Sequence, residues 1–307
     1  MISRKHIRAK VMQTLYIQNS LGDEAPSVSV AEKNLLENLD QAETIFTYLL
    51  YVSLQVAQFA RTDASSRASR RILEEGDLHV NTKIAGNLLL SRLEKDPGFS
   101  SQVDQHHLAA MTDRNLVKKL YRELSSAVPY KDYTNQSART PKEDHQILVY
   151  LFTEILVKSE ALDQHLEEHF IHWPDNREMM WQFINNFLDR PGAFHFGELI
   201  SREKIRYARE LLAAVLVKQN YCLELIRPKL QNWDADRIAV IDMIIMQMGI
   251  CEFLYFPTIP AKVTINVYID LAKIYSTPQS GQFVNGILDS IFKELETGGG
   301  INKTSTP

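Results

Sequence analysis

The first residues of the sequence carry a cluster of basic side chains. Arg4, Lys5, Arg8 and Lys10 occur before the first acidic residue, Asp23. A helix would place Arg4 and Arg8 one turn apart with Lys5 beside them, because they are separated by four positions. Two or three cations on one face can contact neighbouring phosphates of a nucleic acid. The alternative is a solvated basic terminus without a ligand, and residue statistics alone favour that alternative.

A second pattern that could do chemistry is His165-Leu166-Glu167-Glu168-His169. It places two imidazoles one helical turn apart and fits the H-x-x-E-H pattern of some zinc peptidases. Such a zinc site also needs a third protein ligand and a pocket for an activated water. A charged helix face packed by Leu162, Leu166 and Phe170 is the simpler interpretation, and we favour it because short motifs often match by chance.

The sequence contains no glycine-rich phosphate loop, no nucleophile elbow and no CxxC pair. These are the arrangements that would position a phosphate, a nucleophilic serine or a redox dithiol. We therefore expect no catalysis, no metal and no cofactor.

Helices must position the basic and histidine residues, because apolar residues recur at helical spacing along most of the chain. From Asp236 to Phe256 the apolar side chains surround the helix almost completely, which predicts a central helix enclosed by neighbours. Pro257 ends this helix, and Pro260 is predicted as the first residue of the next one. Thr277 and Pro278 are predicted as the N-cap and first residue of the last helix. The predicted fold class is all-α.

The interval 21–200 also has helical periodicity, interrupted by proline and glycine. Helices are predicted near 34–60, 82–94, 102–126, 143–171 and 177–190. Within it, the segment RTDASSRASRR at 61–71 carries Arg61, Arg67, Arg70 and Arg71. This segment is either a second nucleic-acid patch or a solvated stretch, and the absence of interleaved aromatic residues favours the solvated stretch.

Bulk composition narrows the class of protein. The chain has 307 residues, of which 45% are hydrophobic, so it can form one large or two ordinary domains with buried cores. A formal net charge of -4 requires any nucleic-acid binding to come from a local patch. Cys222 and Cys251 are expected as small buried residues in a reducing compartment. Neither a signal-peptide region nor an apolar run long enough for a bilayer is found, so we expect a soluble, cytoplasmic protein.

The last hundred residues contain a series of short motifs. In order they are R-I-x-x-I-D, G-I-x-E, I-P-x-K-V-x-I-N, D-L-A-K and S-x-x-F-V-N-G-I-L-D, preceded by an amphipathic segment at 204–230. Together these motifs resemble the NusB family of bacterial transcription antitermination factors, and residues 4–18 are similar to the basic first helix of that family. The resemblance covers residues 1–20 and about 200–296.

The resemblance implies a NusB-like helical bundle made of two packed helical subdomains. Residues 1–20 would be its basic first helix and 201–296 its C-terminal domain. Residues 21–200 would be a helical insertion or enlarged N-terminal region, and 297–307 a flexible tail.

The resemblance also implies a function, namely that of a non-catalytic transcription antitermination factor. Such a factor would bind boxA-type single-stranded RNA together with the ribosomal protein NusE and act with the RNA polymerase elongation complex, chiefly on ribosomal RNA operons. Carried over by position, the RNA contacts are Arg4, Lys5, Arg8, Tyr16, Lys273, Gln282 and Phe283. Phe283 is the candidate for base stacking, with ordinary core packing as an equal alternative.

By the same resemblance, the expected NusE contacts are Lys229, Asp236 and Asp242. Asp242 is favoured as a partner contact, whereas Glu252 is favoured as a structural carboxylate paired with a base such as Arg237. Two other functions stay open. They are a helical protein-interaction scaffold built on residues 21–200 and an rRNA-binding module in ribosome biogenesis.

Gly286 is the glycine of the last C-terminal motif, S-x-x-F-V-N-G-I-L-D. We expect its missing side chain to allow a close approach between helices.

Overall fold

The computed structural model describes residues 2–22, 27–69, 80–136, 138–196, 198–230 and 238–301. All regular elements in these ranges are helical, which confirms the predicted all-α class. The chain forms two compact units. Residues 40–200 form one of them, the middle unit, while residues 2–39 and the chain from residue 201 onward form the other, the terminal unit.

The α-helices follow one another along the chain with short connections. They are α1 (Arg4–Leu21), α2 (Val28–Ala68), α3 (Leu88–Glu94), α4 (Pro97–Gln105), α5 (Leu108–Met111), α6 (Arg114–Ser126), α7 (Val128–Asn135), α8 (Pro141–Tyr150), α9 (Glu160–His169), α10 (Trp173–Asp189), α11 (Arg202–Ile226), α12 (Val240–Tyr255), α13 (Ala261–Tyr275) and α14 (Ser280–Thr297). Short 3-10 turns occur at Lys83–Gly86, Pro191–Ala193 and Arg227–Leu230, and Leu151–Leu156 is π-helical.

The core of the terminal unit is centred on α12. This helix packs against α1, α11, α13 and α14, and Ile245, Met248 and Phe253 are almost completely buried. Cys222 on α11 and Cys251 on α12 are both buried, with their sulfur atoms 3.7 Å apart. The enclosed central helix predicted from the apolar run is therefore confirmed. Asp236, its predicted start, lies outside the described residues, but α12 begins later than predicted, at Val240 with Ala239 as its N-cap.

The start of α14 differs from the prediction. The helix begins at Ser280 rather than at Pro278, because residues 277–280 form a turn closed by the bond from the Ser280 N–H to the Thr277 carbonyl at 3.0 Å. The Ser280 hydroxyl donates to the buried carboxylate of Asp242 at 2.6 Å and bonds to the Thr277 hydroxyl at 2.8 Å. A contact between distant helices thus sets where the last helix begins.

Glycine positions in the terminal unit also correct an expectation. Apart from the backbone of its own helix and its chain neighbours, no described atom lies within 4 Å of a Cβ built at Gly286, so that glycine does not permit a close helix approach. Gly249 on α12 does so instead, because a Cβ there would lie 2.8 Å from a Leu288 methyl carbon.

The middle unit is built around the longer part of α2. Phe46 on α2 lies within ring-packing distance of Phe183, Phe187, Phe194 and Phe196, at centroid separations between 5.5 and 6.2 Å. Such an aromatic cluster buries a large apolar area. It anchors α10 and the chain that follows it against α2.

Proline and polar caps set several helix starts in the middle unit. Asp96 accepts a hydrogen bond from the Phe99 N–H at the start of α4, where Pro97 is the first residue. Thr140 and Glu143 form a capping box in front of α8, with Pro141 as its first residue.

Three predicted helices of the middle unit are wrong as single elements. The span 82–94 consists of the 3-10 turn Lys83–Gly86 and of α3, which is capped by Asn87. Two longer predicted helices are also divided. The span 102–126 is divided by His107, which has a φ of 51°, and by Asp113, whose carboxylate caps α6. The span 143–171 is divided after its π-helical turn, where Ser159 caps α9. In both cases apolar periodicity continues across the break, so the pattern alone shows no interruption.

The arginine-rich segment at 61–71 belongs largely to the end of α2. Arg61 donates to the Ala85 carbonyl at 3.2 Å, and Arg67 pairs with Asp63 at 2.9 Å. Arg70 and Arg71 lie outside the described residues. The described arginines thus have partners within the middle unit.

Candidate nucleic-acid interface

The first turn of α1 presents two cations at the surface of the terminal unit. The Ser3 hydroxyl caps this helix by accepting a hydrogen bond from the His6 N–H. Arg4 pairs with Glu203 at 2.5 Å, and Lys5 pairs with Asp270 at 3.0 Å. The side chains of Arg4 and Lys5 remain 43% and 39% exposed. Exposed ion pairs contribute at most ~1 kcal/mol, so a phosphate can replace either carboxylate at low cost.

Arg8 has a different environment from the one the sequence predicted. It is only 2% exposed, and its guanidinium forms a two-bond contact with Glu252 on α12, whose side chain is completely buried. The Nε to Oε2 distance of this pair is 3.0 Å. The expectation of an Arg8–phosphate contact is therefore corrected: α1 turns Arg8 into the core, where it neutralises a carboxylate.

Two tyrosine rings complete the surroundings of Arg8. Its guanidinium carbon lies 5.4 Å from the ring centre of Tyr207 and 5.8 Å from that of Tyr268. Burial opposes the charge of Arg8, but the hydrogen bond to Glu252 and the neighbouring tyrosines outweigh it and raise its pKa. Burial, together with the Glu252 charge, also raises the pKa of both tyrosines. The Arg8–Glu252 ion pair and the two tyrosine rings thus fix the position of α1 against α12.

Lys273 lies on α13, the helix that supplies the partner of Lys5, and Gln282 lies on the next helix, α14. Lys273 is one helical turn after Asp270, the partner of Lys5, and its side chain is exposed. Its stem packs beside the first turn of α14, because a Cβ built at Gly281 would lie 2.9 Å from the Lys273 Cγ. Gln282 is the next residue and is exposed. We call Arg4, Lys5, Lys273 and Gln282 the basic corner.

The two aromatic candidates are not part of the basic corner. Phe283 is 8% exposed and belongs to the buried face of α14, so the core alternative describes it better than the stacking position. Tyr16 is 44% exposed, but it lies three turns along α1 from Arg4, a rise of about 18 Å. The basic corner thus contains cations and an amide, and neither of the two predicted aromatic residues is an exposed part of it.

The expected partner residues are also distributed differently. Asp242 is 4% exposed and accepts the hydrogen bond from Ser280, so it is a structural carboxylate rather than a surface contact. Lys229 is partly exposed and pairs with Glu294 of α14 at 2.6 Å. Asp236 lies outside the described residues. Of the three, Lys229 is the one that the structure places at a surface.

Sequence comparison relates the second part of the chain to known proteins. A profile of the NusB family matches residues 180–293. Over 97 residues the chain is 36% identical to the transcription antitermination protein NusB of Finegoldia magna (strain ATCC 29328 / DSM 20472 / WAL 2508), a match that covers 32% of this chain and 71% of that relative. The chain belongs to the NusB family.

Other NusB relatives match over smaller shares of their length. The transcription antitermination protein NusB of Salinibacter ruber (strain DSM 13855 / M31) is 40% identical over 98 residues, which are 32% of this chain and 61% of that relative. The protein of the same name from Chloroherpeton thalassium (strain ATCC 35110 / GB-78) is 45% identical over 73 residues, which are 24% of this chain and 35% of that relative. The chain therefore spans less than two thirds of these two relatives. None of the three relatives is named as an enzyme.

A solved structure of T. maritima NusB is 27% identical to the chain. The alignment covers 51% of this chain and 94% of that one, with a TM-score of 0.30. The family assignment therefore rests on the sequence matches.

The NusB profile begins at residue 180, so α1 lies outside the matched range. The structure nevertheless packs α1 against α11 and α12, which lie within that range. The ion pair between Arg8 and Glu252 joins the two parts at the centre of the terminal unit. The first helix is therefore part of the same core as the helices that carry the NusB motifs.

The histidine pair lies in the middle unit, outside the NusB match. The His165 Nε2 and the Tyr48 hydroxyl are 2.6 Å apart, and the rings of His165 and His169 are 4.2 Å apart. Burial, and secondarily the neighbouring His169, lower the pKa of His165. In the described part of the chain, no group of three or more His, Cys, Asp or Glu side chains is arranged to hold a metal ion.

Membrane crossing can also be assessed from the helices. Within the described ranges, none is both long and apolar enough to pass through a bilayer.

Sequence reasoning missed the acidic and aromatic residues that surround the basic helix. Glu203, Tyr207 and Asp270 had no signal of their own, since each belongs to an ordinary amphipathic helix. Glu252 was predicted to be a structural carboxylate, but Arg237 was suggested as the basic residue that pairs with it. The true partner is 244 residues away in the sequence, which no local pattern indicates.

Proposed function

We propose that this NusB-family protein is a transcription antitermination factor that acts by binding and without catalysis. Its ligands are boxA-type single-stranded RNA and the ribosomal protein NusE. The complex acts with the RNA polymerase elongation complex, chiefly on ribosomal RNA operons in the cytoplasm. Family membership carries this proposal, because the matched relatives are named transcription antitermination proteins.

The geometry of the basic corner supports the RNA part of the proposal. Arg4, Lys5 and Lys273 offer charge to phosphates, and this attraction does not depend on sequence. Gln282 can both donate to and accept from base edges, which is how sequence is read on a single strand. Arg8 does not contact RNA in this proposal. It positions α1, so that Arg4 and Lys5 point outward.

NusE adds a second binding surface to the same RNA complex. Linking two weak contacts in one assembly raises the overall affinity without any stronger individual contact. Lys229 and Asp236 remain the proposed NusE contacts. Residues 21–200 are proposed as an elaboration of the family fold that leaves the basic corner in place.

The experiment is a binding titration of a boxA-like single-stranded RNA, with a scrambled RNA of equal length as comparison. Fluorescence anisotropy is recorded with and without NusE at two salt concentrations. We expect tighter binding to the boxA-like RNA, a further gain with NusE, and weaker binding at the higher salt concentration. The double variant Arg4→Ala/Lys5→Ala should lose about tenfold in RNA affinity, since two phosphate contacts are removed.

A matched control is the double variant Lys33→Ala/Lys293→Ala. It removes the same charge from exposed lysines that pair with carboxylates one turn away. RNA binding at wild-type strength in the Arg4/Lys5 variant would exclude the basic corner as the interface. Equal binding of the boxA-like and scrambled RNA, unchanged by NusE, would exclude the antitermination proposal itself.

A further inference from the structure

A row of cations lies on the exposed face of α6, in the middle unit. Arg114, Lys118 and Arg122 follow one another at four-residue spacing, and Lys119 lies beside them. All four side chains belong to exposed residues. The helix carries one carboxylate, Glu123, so its formal charge is +3, whereas the whole chain carries -4.

Packing fixes the direction in which this row points. Leu116, Leu120 and Leu124 are buried, as are Val117 and Tyr121, and they occupy the opposite side of α6. Asp113 caps the helix by accepting a hydrogen bond from the Asn115 N–H at 2.8 Å. A rigid amphipathic helix therefore holds Arg114, Lys118 and Arg122 in line, about 6 Å apart along the axis.

The cations of the row differ in their contacts from three other cations of the middle unit, Lys83, Arg139 and Arg177. Lys83 donates to three backbone carbonyls, Arg139 donates to two, and Arg177 pairs with two carboxylates. Within the residues that the structure describes, Arg114, Lys118, Lys119 and Arg122 form no ion pair and no side-chain hydrogen bond. Their charge is available to a ligand.

We propose that the α6 row is a second RNA-binding surface, which contacts the phosphate backbone of a single strand. The surface lies outside the range matched by the NusB profile and in a different unit from the basic corner. Its spacing allows successive cations to contact successive phosphates of an extended strand. The surface binds RNA without regard to sequence, because it has cations but no aromatic ring for stacking.

The chemistry of the face favours RNA over an acidic protein. Protein interfaces have a core of apolar or aromatic side chains, and charged residues are depleted there. The exposed face of α6 instead consists of the cations together with Asn115, Glu123 and Ser126. A polyanion needs no apolar contact, since its binding is driven by counterion release.

The test uses the full-length triple variant Arg114→Gln/Lys118→Gln/Arg122→Gln. Its control is the triple variant Lys33→Gln/Lys158→Gln/Lys293→Gln, which removes equal charge from exposed lysines that pair with carboxylates four residues away. Both are titrated with the boxA-like and the scrambled RNA across several salt concentrations. We expect the α6 variant to bind both RNAs about tenfold more weakly than the control does. The slope of log affinity against log salt should become shallower by about 2, since three contacts are lost.

Equal affinities and equal salt slopes for the two triple variants would overturn the proposal. So would a loss of binding to an acidic polypeptide, such as polyglutamate, while RNA binding is unchanged. Should circular dichroism show that the α6 variant is unfolded, Lys118→Gln alone is measured, with an expected slope change of about 0.7.

The inference rests on RNA being a ligand of this chain, but not on boxA recognition. A loss of sequence preference with the α6 effect retained would reject only the proposed function. A retained preference without an α6 effect would reject only the second surface.

Discussion

Arg8 shows that two residues of the same type on one helix can have different environments and different roles. In the sequence it is one of several cations on a basic helix, indistinguishable from Arg4 in charge and spacing. In the folded chain Arg4 is exposed beside Glu203, whereas Arg8 is buried against Glu252. A buried charge must be paired, because its transfer from water to the protein interior costs roughly several kcal/mol of solvation free energy. The same side-chain chemistry therefore serves binding at one position and positioning at the other.

We predict that Arg8→Ala destabilises the protein by about 3–5 kcal/mol, because it leaves the Glu252 carboxylate buried without its base. The measurement is urea denaturation followed by circular dichroism. Arg4→Ala is the matched control, with an expected loss below about 1 kcal/mol. The double change Arg8→Met/Glu252→Leu should recover most of the stability, since it removes both charges. Equal losses for Arg8→Ala and Arg4→Ala would contradict the buried ion pair.

Glu43 on α2 is a second residue whose surroundings determine its chemistry. Burial raises the pKa of its carboxyl to about 7, although a hydrogen bond from the Ile200 N–H opposes the shift. The folded protein thus holds a proton at Glu43 that the unfolded chain has already released above its usual pKa of 4.5. The stabilisation is complete below that usual value and is lost as pH rises through about 7.

We predict that the free energy of unfolding falls by up to ~3 kcal/mol between about pH 4.5 and pH 7 because of Glu43. Glu43→Gln should remove this decline, since the amide stays neutral. Urea denaturation across this pH range gives the comparison. The control is Glu37→Gln, at an exposed position of the same helix. Identical pH profiles of the wild type and Glu43→Gln would exclude the shifted carboxyl.

At the scale of elements, local signals predicted which segments are helical better than where they begin. Pro97 and Pro141 are the first residues of their helices, because proline at the first position loses no helical hydrogen bond. Thr277-Pro278 carries an equivalent signal, yet α14 begins at Ser280. The hydroxyl of Ser280 is held by Asp242 on a helix 38 residues earlier. A tertiary hydrogen bond therefore outweighs a local capping preference.

Gly249 of α12 and Gly286 of α14 give a paired prediction. Gly249→Ala should cost about 1–3 kcal/mol, because the new Cβ would meet the buried Leu288 side chain. Gly286→Ala should stabilise by about 0.5–1 kcal/mol, because the site is open and alanine favours a helix. Thermal denaturation of both variants provides the test. Effects of the same sign at both positions would contradict the packing of α12 on α14.

At the scale of the whole molecule, the chain forms two units, each with its own core. The terminal unit is assembled from the two ends of the sequence, and the middle unit from the interval between them. A buried ion pair supports the first core, and a cluster of phenylalanine rings supports the second. Contacting residues are therefore far apart in the sequence in the terminal unit and closer together in the middle unit.

We predict that Arg8→Ala raises amide hydrogen exchange within the terminal unit and leaves the middle unit unchanged. The reason is that local opening follows the core that has lost its contact. Hydrogen exchange with peptide mass spectrometry would compare α1, α11 and α12 with α9 and α10. A uniform rise along the chain would show that the two units open together.

The sequence alone determined the all-α class, the enclosed central helix and the resemblance to the NusB family. These follow from apolar periodicity and ordered motifs, which are local properties of the chain. Only the tertiary structure decided that Arg8, Asp242 and Phe283 are interior residues, while Arg4, Lys5 and Lys273 face solvent. Burial depends on which distant helix covers a side chain, as Glu252 covers Arg8 across 244 positions. A pattern of residue types cannot specify that partner, because the same cation suits a carboxylate in the core and a phosphate at the surface.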